Sequence, residues 1–469
     1  MIRRLLAGIG LAAALAVPAA AFTPTDPFVP RQWYLAANHT YDTWPDPPTF
    51  APVRIAILDS GIDGGHPELA QHIVAAKSFV GGSPRVDKEG HGTFVAGVIA
   101  AEVNDAVGIA GSFPAAELVI AKIGTANGTI PEHAEARAIR WAVDQHARVI
   151  NMSLGGVRDP LHRGRDTYSK AEADAIEYAV AHHVVIVAAV GNGDQSPAEP
   201  WLFASYPAAL PHVLGVSAYG QNGAVPDFSN RDPLLNDIAA PGVGILSTFP
   251  RPLTAERPDC AEHGYSSCGP AEYRSGDGTS FAAPQVSAAA AMLLSLRPEL
   301  TPDQVYTILE RSAADARGPN GCRQCPIGRD AFTGWGRLDV AAAVAALAGS
   351  LPAPDSLEPN DAVSLRAPTL WGASRTIDAT VDYWDDEADV YRIPLRRGQK
   401  LYAVLSDPAA SGTSLHLSTL QGGDLPGLAR GSSTQRHLGF RATHGGFYYL
   451  VVRSAVRRSG PYRLAFSKS

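Results

Sequence analysis

The chain has 469 residues, with 39 Lys and Arg against 46 Asp and Glu and 45% hydrophobic residues. One core rarely fills that length, so a large domain with a smaller one is expected. A formal net charge of −7 offers no broad basic face, which argues against nucleic acid as a partner.

In chain order, the first element reads as an export signal. Met1 to Arg4 is a cationic start, Leu5 to Val17 an apolar run, and Ala19 to Ala21 a small-residue cleavage site before Phe22. The run falls short of the ~20 residues a spanning helix needs, so no membrane span is expected once the signal is removed. A periplasmic or extracellular location follows. In that setting Cys260, Cys268, Cys322 and Cys325 favour two disulfides, with three connectivities open and a zinc site as the alternative.

A Pro-rich entry segment leads into alternating signals from Val53 to about Ala348. Short apolar runs at Val53 to Leu58, Leu118 to Ile123, Val149 to Met152, Val184 to Ala189 and Val213 to Val216 read as strands. Helical patterns at Glu132 to His146 and Ser169 to His182 fall between them, which implies an α/β fold with a parallel sheet covered on both faces. Thr301-Pro302-Asp303-Gln304 is a capping box with Pro at the first helical position. The expected organisation is a signal over 1–21, an α/β domain over 22–348, a Pro- and Ser-rich linker over 349–360, and a smaller all-β sandwich over 361–469. The last is read from period-two runs at Asp389 to Ile393, Lys400 to Leu405, Phe447 to Val452 and Tyr462 to Phe466.

Three motifs carry chemistry. Ile55 to Asp59 is a buried strand ending in a carboxylate before Ser60-Gly61, where the carboxylate can orient an imidazole and stabilise its cation. Alone, such an Asp is more often a turn residue. Gly90-His91-Gly92-Thr93 opens a helix with a His flanked by glycines, free to reach other side chains. Gly278-Thr279-Ser280-Phe281-Ala282-Ala283-Pro284 opens another, where the Ser280 N–H is an unsatisfied donor and its hydroxyl a nucleophile; a plain N-cap is the ordinary meaning of such a Ser.

Together, and in the order Asp, His, Ser, these motifs resemble the subtilisin-like serine peptidases. The resemblance covers about Asp26 to Ala345. It includes Gln32-Trp33-Tyr34-Leu35, Asn151-Met152-Ser153-Leu154-Gly155-Gly156, Ala188-Ala189-Val190-Gly191-Asn192-Gly193, Ala239-Ala240-Pro241-Gly242 and Gly334-Trp335-Gly336. It implies a secreted serine endopeptidase with Asp59, His91 and Ser280 as catalytic triad and Asn192 as oxyanion donor. It also implies substrate contacts at Ser153, Leu154 and Gly155, backbone pairing at Lys122 to Gly124, and Ser205 in the pocket for the residue before the scissile bond. Polypeptides are the expected partners, the chain is expected to be a monomer, and no cofactor is needed for the chemistry. A catalytically silent binding protein on the same scaffold is the alternative.

The pattern departs from most relatives in three ways. Too few residues separate Ala21 from Val53 for a folded propeptide, Phe281 stands where many members have Met, and Arg251 to Tyr273 and Gly318 to Asp330 are longer than a minimal member needs. Glu68 and Asp105 fall where the family often places ligands for a structural Ca²⁺. Glu358-Pro359-Asn360-Asp361, Asp389-Val390-Tyr391 and the closing Gly446 to Val452 resemble the bacterial pre-peptidase C-terminal sandwich.

Overall fold

The computed structural model describes residues 22–469 except 126–127, 257–266, 269–271, 350–356, 358–359, 361–362, 364–366, 382–387, 408–411, 421–424, 426–428, 433 and 455–459. The expected signal over 1–21 and most of the linker lie outside the described residues.

Seven parallel strands make the main sheet: β1 (Val53–Asp59), β2 (Ile73–Ser78), β3 (Ala116–Lys122), β4 (Val149–Met152), β5 (Val185–Ala189), β6 (Leu214–Tyr219) and β7 (Ile238–Pro241), in the order β2-β3-β1-β4-β5-β6-β7. The runs are apolar on both faces because both faces are covered. Ile55 and Ile57 point into one cluster with α2 (His91–Ala100) and α6 (Thr279–Leu296). Ala56 and Leu58 point into the other, with α3 (Glu132–Asp144) and α4 (Lys170–Val180). Each of these side chains is at most 1% exposed, and burying an Ile or Leu contributes about 1.5–3 kcal/mol before ordering costs.

The segment before β1 belongs to this core. α1 (Trp33–Ala37) buries Tyr34 and Leu35, and Phe22, Tyr41 and Trp44 stack at 4.6–5.9 Å between ring centroids. α6 is apolar and long enough to cross a bilayer, but 83% of it is buried, as befits the central helix of a large core.

A small sheet of β8 (Ile245–Thr248), β9 (Ser267–Cys268) and β10 (Tyr273–Gly276) flanks the short α5 (Arg251–Glu256). α7 (Pro302–Ser312) starts with the expected Thr301–Gln304 capping box, and α8 (Val340–Ala346) is capped by Asp339.

Beyond residue 367 the chain is antiparallel. β11 (Ser374–Val381), β13 (Lys400–Ser406), β15 (Ala429–Gly431), β16 (Gln435–Arg441) and β18 (Gly460–Lys468) form one sheet; β12 (Ala388–Leu395), β14 (Thr413–Ser418) and β17 (Gly446–Ser454) form a second. Leu401, Ala403 and Leu405 from the first sheet and Tyr391, Ile393 and Leu450 from the second share one core, which makes this region a small sandwich.

Candidate active site

The groups singled out above converge at the carboxyl ends of the central strands, where open parallel sheets bind ligands. Asp59 ends β1, and α2 begins at His91. The imidazole Nδ1 lies 2.8 and 3.0 Å from the two Asp59 carboxylate oxygens. A carboxylate can only accept here, so the imidazole proton sits on Nδ1 and leaves Nε2 as a lone-pair acceptor. Burial opposes charge on His91, but the Asp59 carboxylate, its hydrogen bond, and Glu89 and Asp87 outweigh this and raise the imidazole to about 9.

Two glycines permit the approach. Gly90 has a φ of 98°, in the left-handed region, and a Cβ on Gly92 would lie 2.1 Å from the Gly61 carbonyl oxygen. Asp87 sets the turn between them: its carboxylate accepts from the Gly90 and Thr93 N–H groups and from the Ser60 and Thr93 hydroxyls at 2.7–2.9 Å. The sequence reading missed Asp87, although an Asp three residues before a helix-opening Gly-His is a recognisable turn signal.

Ser280 lies in the first turn of α6. Pro284, four residues on, has no N–H to donate back to the Ser280 carbonyl, and the Ser153 hydroxyl takes that place at 2.7 Å. The Ser280 hydroxyl in turn donates to the Ser153 carbonyl at 3.2 Å rather than to His91. Asn151 Nδ2 donates to the Ser153 hydroxyl, and Asn151 Oδ1 accepts from Ser287, so β4 is tied to α6 on both sides of Ser280. Phe281 packs 4.1 Å from Phe94 and 5.6 Å from the His91 ring, backing the imidazole with an apolar surface.

Asn192 follows β5. Its Oδ1 accepts from the Thr279 N–H at 3.0 Å and the Thr279 hydroxyl at 2.9 Å. A backbone N–H can only donate, so the amide oxygen must face Thr279 and the NH2 group turns away from it as a donor. Thr279 is the second residue the sequence reading passed over.

Past Ser153, the peptide groups of Leu154 and Gly155 make no hydrogen bond among the described residues, while Gly156 pairs with Tyr206 in both directions at 2.8 and 2.9 Å. Ser205 is buried between Gly155 and Gly191, its hydroxyl accepting from Asn230 at 3.2 Å. The expected pairing surface at Lys122 to Gly124 is partly spent: the Ile123 and Gly124 N–H groups both donate to the Asp59 carbonyl.

The subtilase family profile matches residues 51–336. The chain belongs to the subtilase family. It is 35% identical to subtilisin E of Bacillus subtilis (strain 168) over 263 residues, which is 56% of this chain and 60% of that protein. It is 32% identical to thermitase of Thermoactinomyces vulgaris over 277 residues, 58% of this chain and 86% of thermitase. The chain thus spans three fifths of subtilisin E's length. Among solved structures, a protease from Pseudoalteromonas arctica PAMC 21717 superposes with a TM-score of 0.55 at 27% identity, over 69% of this chain and 99% of the other.

The residues expected to hold Ca²⁺, Glu68 and Asp105, are both hydrogen-bonded within the chain. Glu68 accepts from the Tyr273 hydroxyl at 2.6 Å and the Ile109 N–H at 3.3 Å through Oε1, and burial pushes its carboxyl up to about 7. Asp105 caps Val107, and Asp26 holds the N–H groups of Asn104, Asp105 and Ala106. Among the described residues no three acidic, His or Cys side chains gather as a metal ligand set. Cys322 and Cys325 form a disulfide, so neither is a thiolate for zinc; Cys260 and the Cys268 side chain lie outside the described residues.

Proposed function

We propose that this chain is an exported serine endopeptidase. The reading is carried by the His91 imidazole, held through Nδ1 by Asp59 with Nε2 left as acceptor. In it, the Ser280 hydroxyl turns from the Ser153 carbonyl towards His91, attacks a peptide carbonyl, and passes its proton to Nε2. The oxyanion is met by the Asn192 NH2 and the Ser280 N–H, His91 returns the proton to the leaving amine, and water then hydrolyses the acyl-enzyme. Substrate lies extended along Leu154 and Gly155, whose peptide groups have no partners among the described residues, so unfolded segments are preferred over packed ones.

Several further points belong to the same reading. The signal spans 1–21, the peptidase domain 22–348, the linker 349–360 and the sandwich 361–469, and the mature protein works as a monomer outside the cytoplasm. A fluorophosphonate probe tests the chemistry. Labelling at Ser280 by intact mass and peptide mapping, lost in Ser280→Ala, is the expected result; an unlabelled wild type would leave the catalytically silent alternative.

A further inference from the structure

The C-terminal sandwich differs in charge from the rest of the chain. Residues 361–469 hold 14 Arg and Lys against nine Asp and Glu, whereas the whole chain holds 39 against 46. Strand register gathers several of the cations at one end. Leu395 of β12 faces Gly446 of β17, Lys400 of β13 faces Arg441 of β16, and Leu401 faces Lys468 of β18. The turn that carries Arg396 and Arg397 is tied to Ala442 by the Gly398 N–H and the Gln399 carbonyl. Arg396, Arg397, Lys400 and Arg441 are exposed and have no ion-pair partner among the described residues. The described acids of the sandwich stand elsewhere: Asp389 and Asp407 at the opposite ends of β12 and β13, and Asp378 in an ion pair with Arg463.

The same end exposes two large aromatic rings. Trp371, just before β11, is 65% exposed and Phe447, in β17, 42%, and the rings meet edge to face at 6.5 Å. Arg392 stacks on the Phe447 ring at 4.4 Å. On the other side, Lys468 Nζ donates to the carbonyls of Leu370, next to Trp371, and Pro394, which faces Phe447, at 3.4 and 3.5 Å. Adjacent apolar rings left in water and rimmed by charge mark a binding surface. A ligand that fits this one carries negative charge and flat apolar faces along a chain. Carboxylated polysaccharides have both: the C–H groups on one face of a pyranose pack on the negative face of an indole, and the ring carboxylate pairs with a guanidinium. Duplex nucleic acid, with a charge every ~1.7 Å, keeps its ring faces inside the stack and suits exposed rings poorly.

We propose that this end of the sandwich is a docking site for an acidic polysaccharide of the polyuronate kind, with Trp371 and Phe447 as the stacking platform and Arg392, Arg396, Arg397 and Lys400 as partners for its carboxylates. The inference rests on the export reading for the choice of polymer and on no step of the peptidase chemistry. Docking holds the α/β region close to proteins embedded in such a matrix.

The test is calorimetric titration of the full-length protein, carrying Ser280→Ala to prevent self-digestion, with alginate as the polyuronate and dextran as a neutral polysaccharide. Alginate is expected to bind and dextran not, a comparison that needs no further variant to fold. Trp371→Ala is expected to weaken alginate binding about tenfold at both low and high salt, because stacking is not screened. Arg396→Ala/Arg397→Ala is expected to weaken it by a similar factor at low salt and by much less at high salt. Arg463→Ala, whose side chain is paired with Asp378, is expected to bind as the parent does. Absence of alginate binding, equal binding of dextran, or binding that Trp371→Ala leaves unchanged overturns the proposal. Tighter binding of single-stranded DNA or of phosphatidylglycerol vesicles than of alginate overturns it too. None of these outcomes touches fluorophosphonate labelling at Ser280, so the docking site can fail with the peptidase reading intact.

Discussion

The parallel α/β region and the C-terminal sandwich both bury polar side chains, but they use them differently. In the sandwich the Tyr391 and Tyr462 hydroxyls meet at 2.5 Å and Tyr462 donates to Asp389, all three fully or nearly buried; burial and the Asp389 charge push the Tyr462 phenol far above its ordinary range. That cluster turns inward. In the α/β region each pairing spends one valence and leaves another towards the cleft: His91 binds Asp59 through Nδ1 and keeps Nε2, and Asn192 binds Thr279 through its oxygen and keeps its NH2. A closed polar cluster can only add stability and specificity of packing, whereas a half-satisfied one can do chemistry.

Breaking the open pairings should therefore cost activity, and breaking the closed one should cost stability. The largest effect is expected for Ser280→Ala, which should lower kcat on a peptide substrate by about 10⁶, the scale found for this family. Retention of even a tenth of wild-type turnover would contradict its place as nucleophile. Next comes Asn192→Ala, expected to lower kcat by about 10² to 10³ with little change in KM, because the oxyanion forms only in the transition state. Matched kinetics on Thr279→Val would show a smaller fall of the same kind if Thr279 acts by orienting the amide.

Ser205→Gly sharpens the comparison at the substrate pocket. Ser205 packs against Gly155 and Gly191, so removing its Cβ and hydroxyl should deepen the pocket. A shift of about 10- to 200-fold in kcat/KM from Ala, Val or Leu towards Phe before the scissile bond is expected. An unchanged profile would mean that Ser205 does not bound this pocket.

The pH profile tests the Asp59–His91 pair. Neutral imidazole is the competent base, so activity should be present above the His91 pKa and fall as pH drops through it. With His91 raised to about 9, the midpoint should lie above the ordinary 6.5 that an unassisted His would show. For stability the sign is opposite: the protonated, paired imidazole stabilises fully below 6.5, and this is lost as pH rises through the folded value. Titrating His91 by NMR in Ser280→Ala, alone and with Asp59→Asn, measures both; a His91 pKa that does not fall in the Asp59 variant would refute the pairing.

The smallest expected effect lies in the sandwich. Tyr462→Phe removes the donor to Asp389 and should lower stability by about 1–3 kcal/mol, read as an earlier urea or thermal transition for that region. Its kcat/KM should match wild type. A fall in kcat/KM would show that the two regions are coupled.

Much of this molecule is legible in the chain. The apolar runs at Val53 to Leu58 and Val149 to Met152 became β1 and β4 with nearly the same bounds, and the capping box at Thr301 opens α7 as read. β2 was missed because an edge strand with the burial pattern of Ile73–Ser78 lacks a continuous apolar run, and β11 and β16 because most of their side chains are exposed or half-buried and leave few apolar positions to set a period. The triad motifs were readable since each needs its own local turn, glycine or helix start.

By itself the sequence determined which groups are present and which element carries each: a carboxylate ending a strand, a His and a Ser opening helices, an amide after a strand. Only the tertiary structure decided how those groups are pointed and charged. Ser153 completes the hydrogen bond that Pro284 denies Ser280 across 127 residues of chain, Thr279 turns the Asn192 amide across 87, and Glu135 meets Glu172 between two helices. Orientation and charge depend on burial and on neighbours remote along the chain, and neither is a property of any local run of residues.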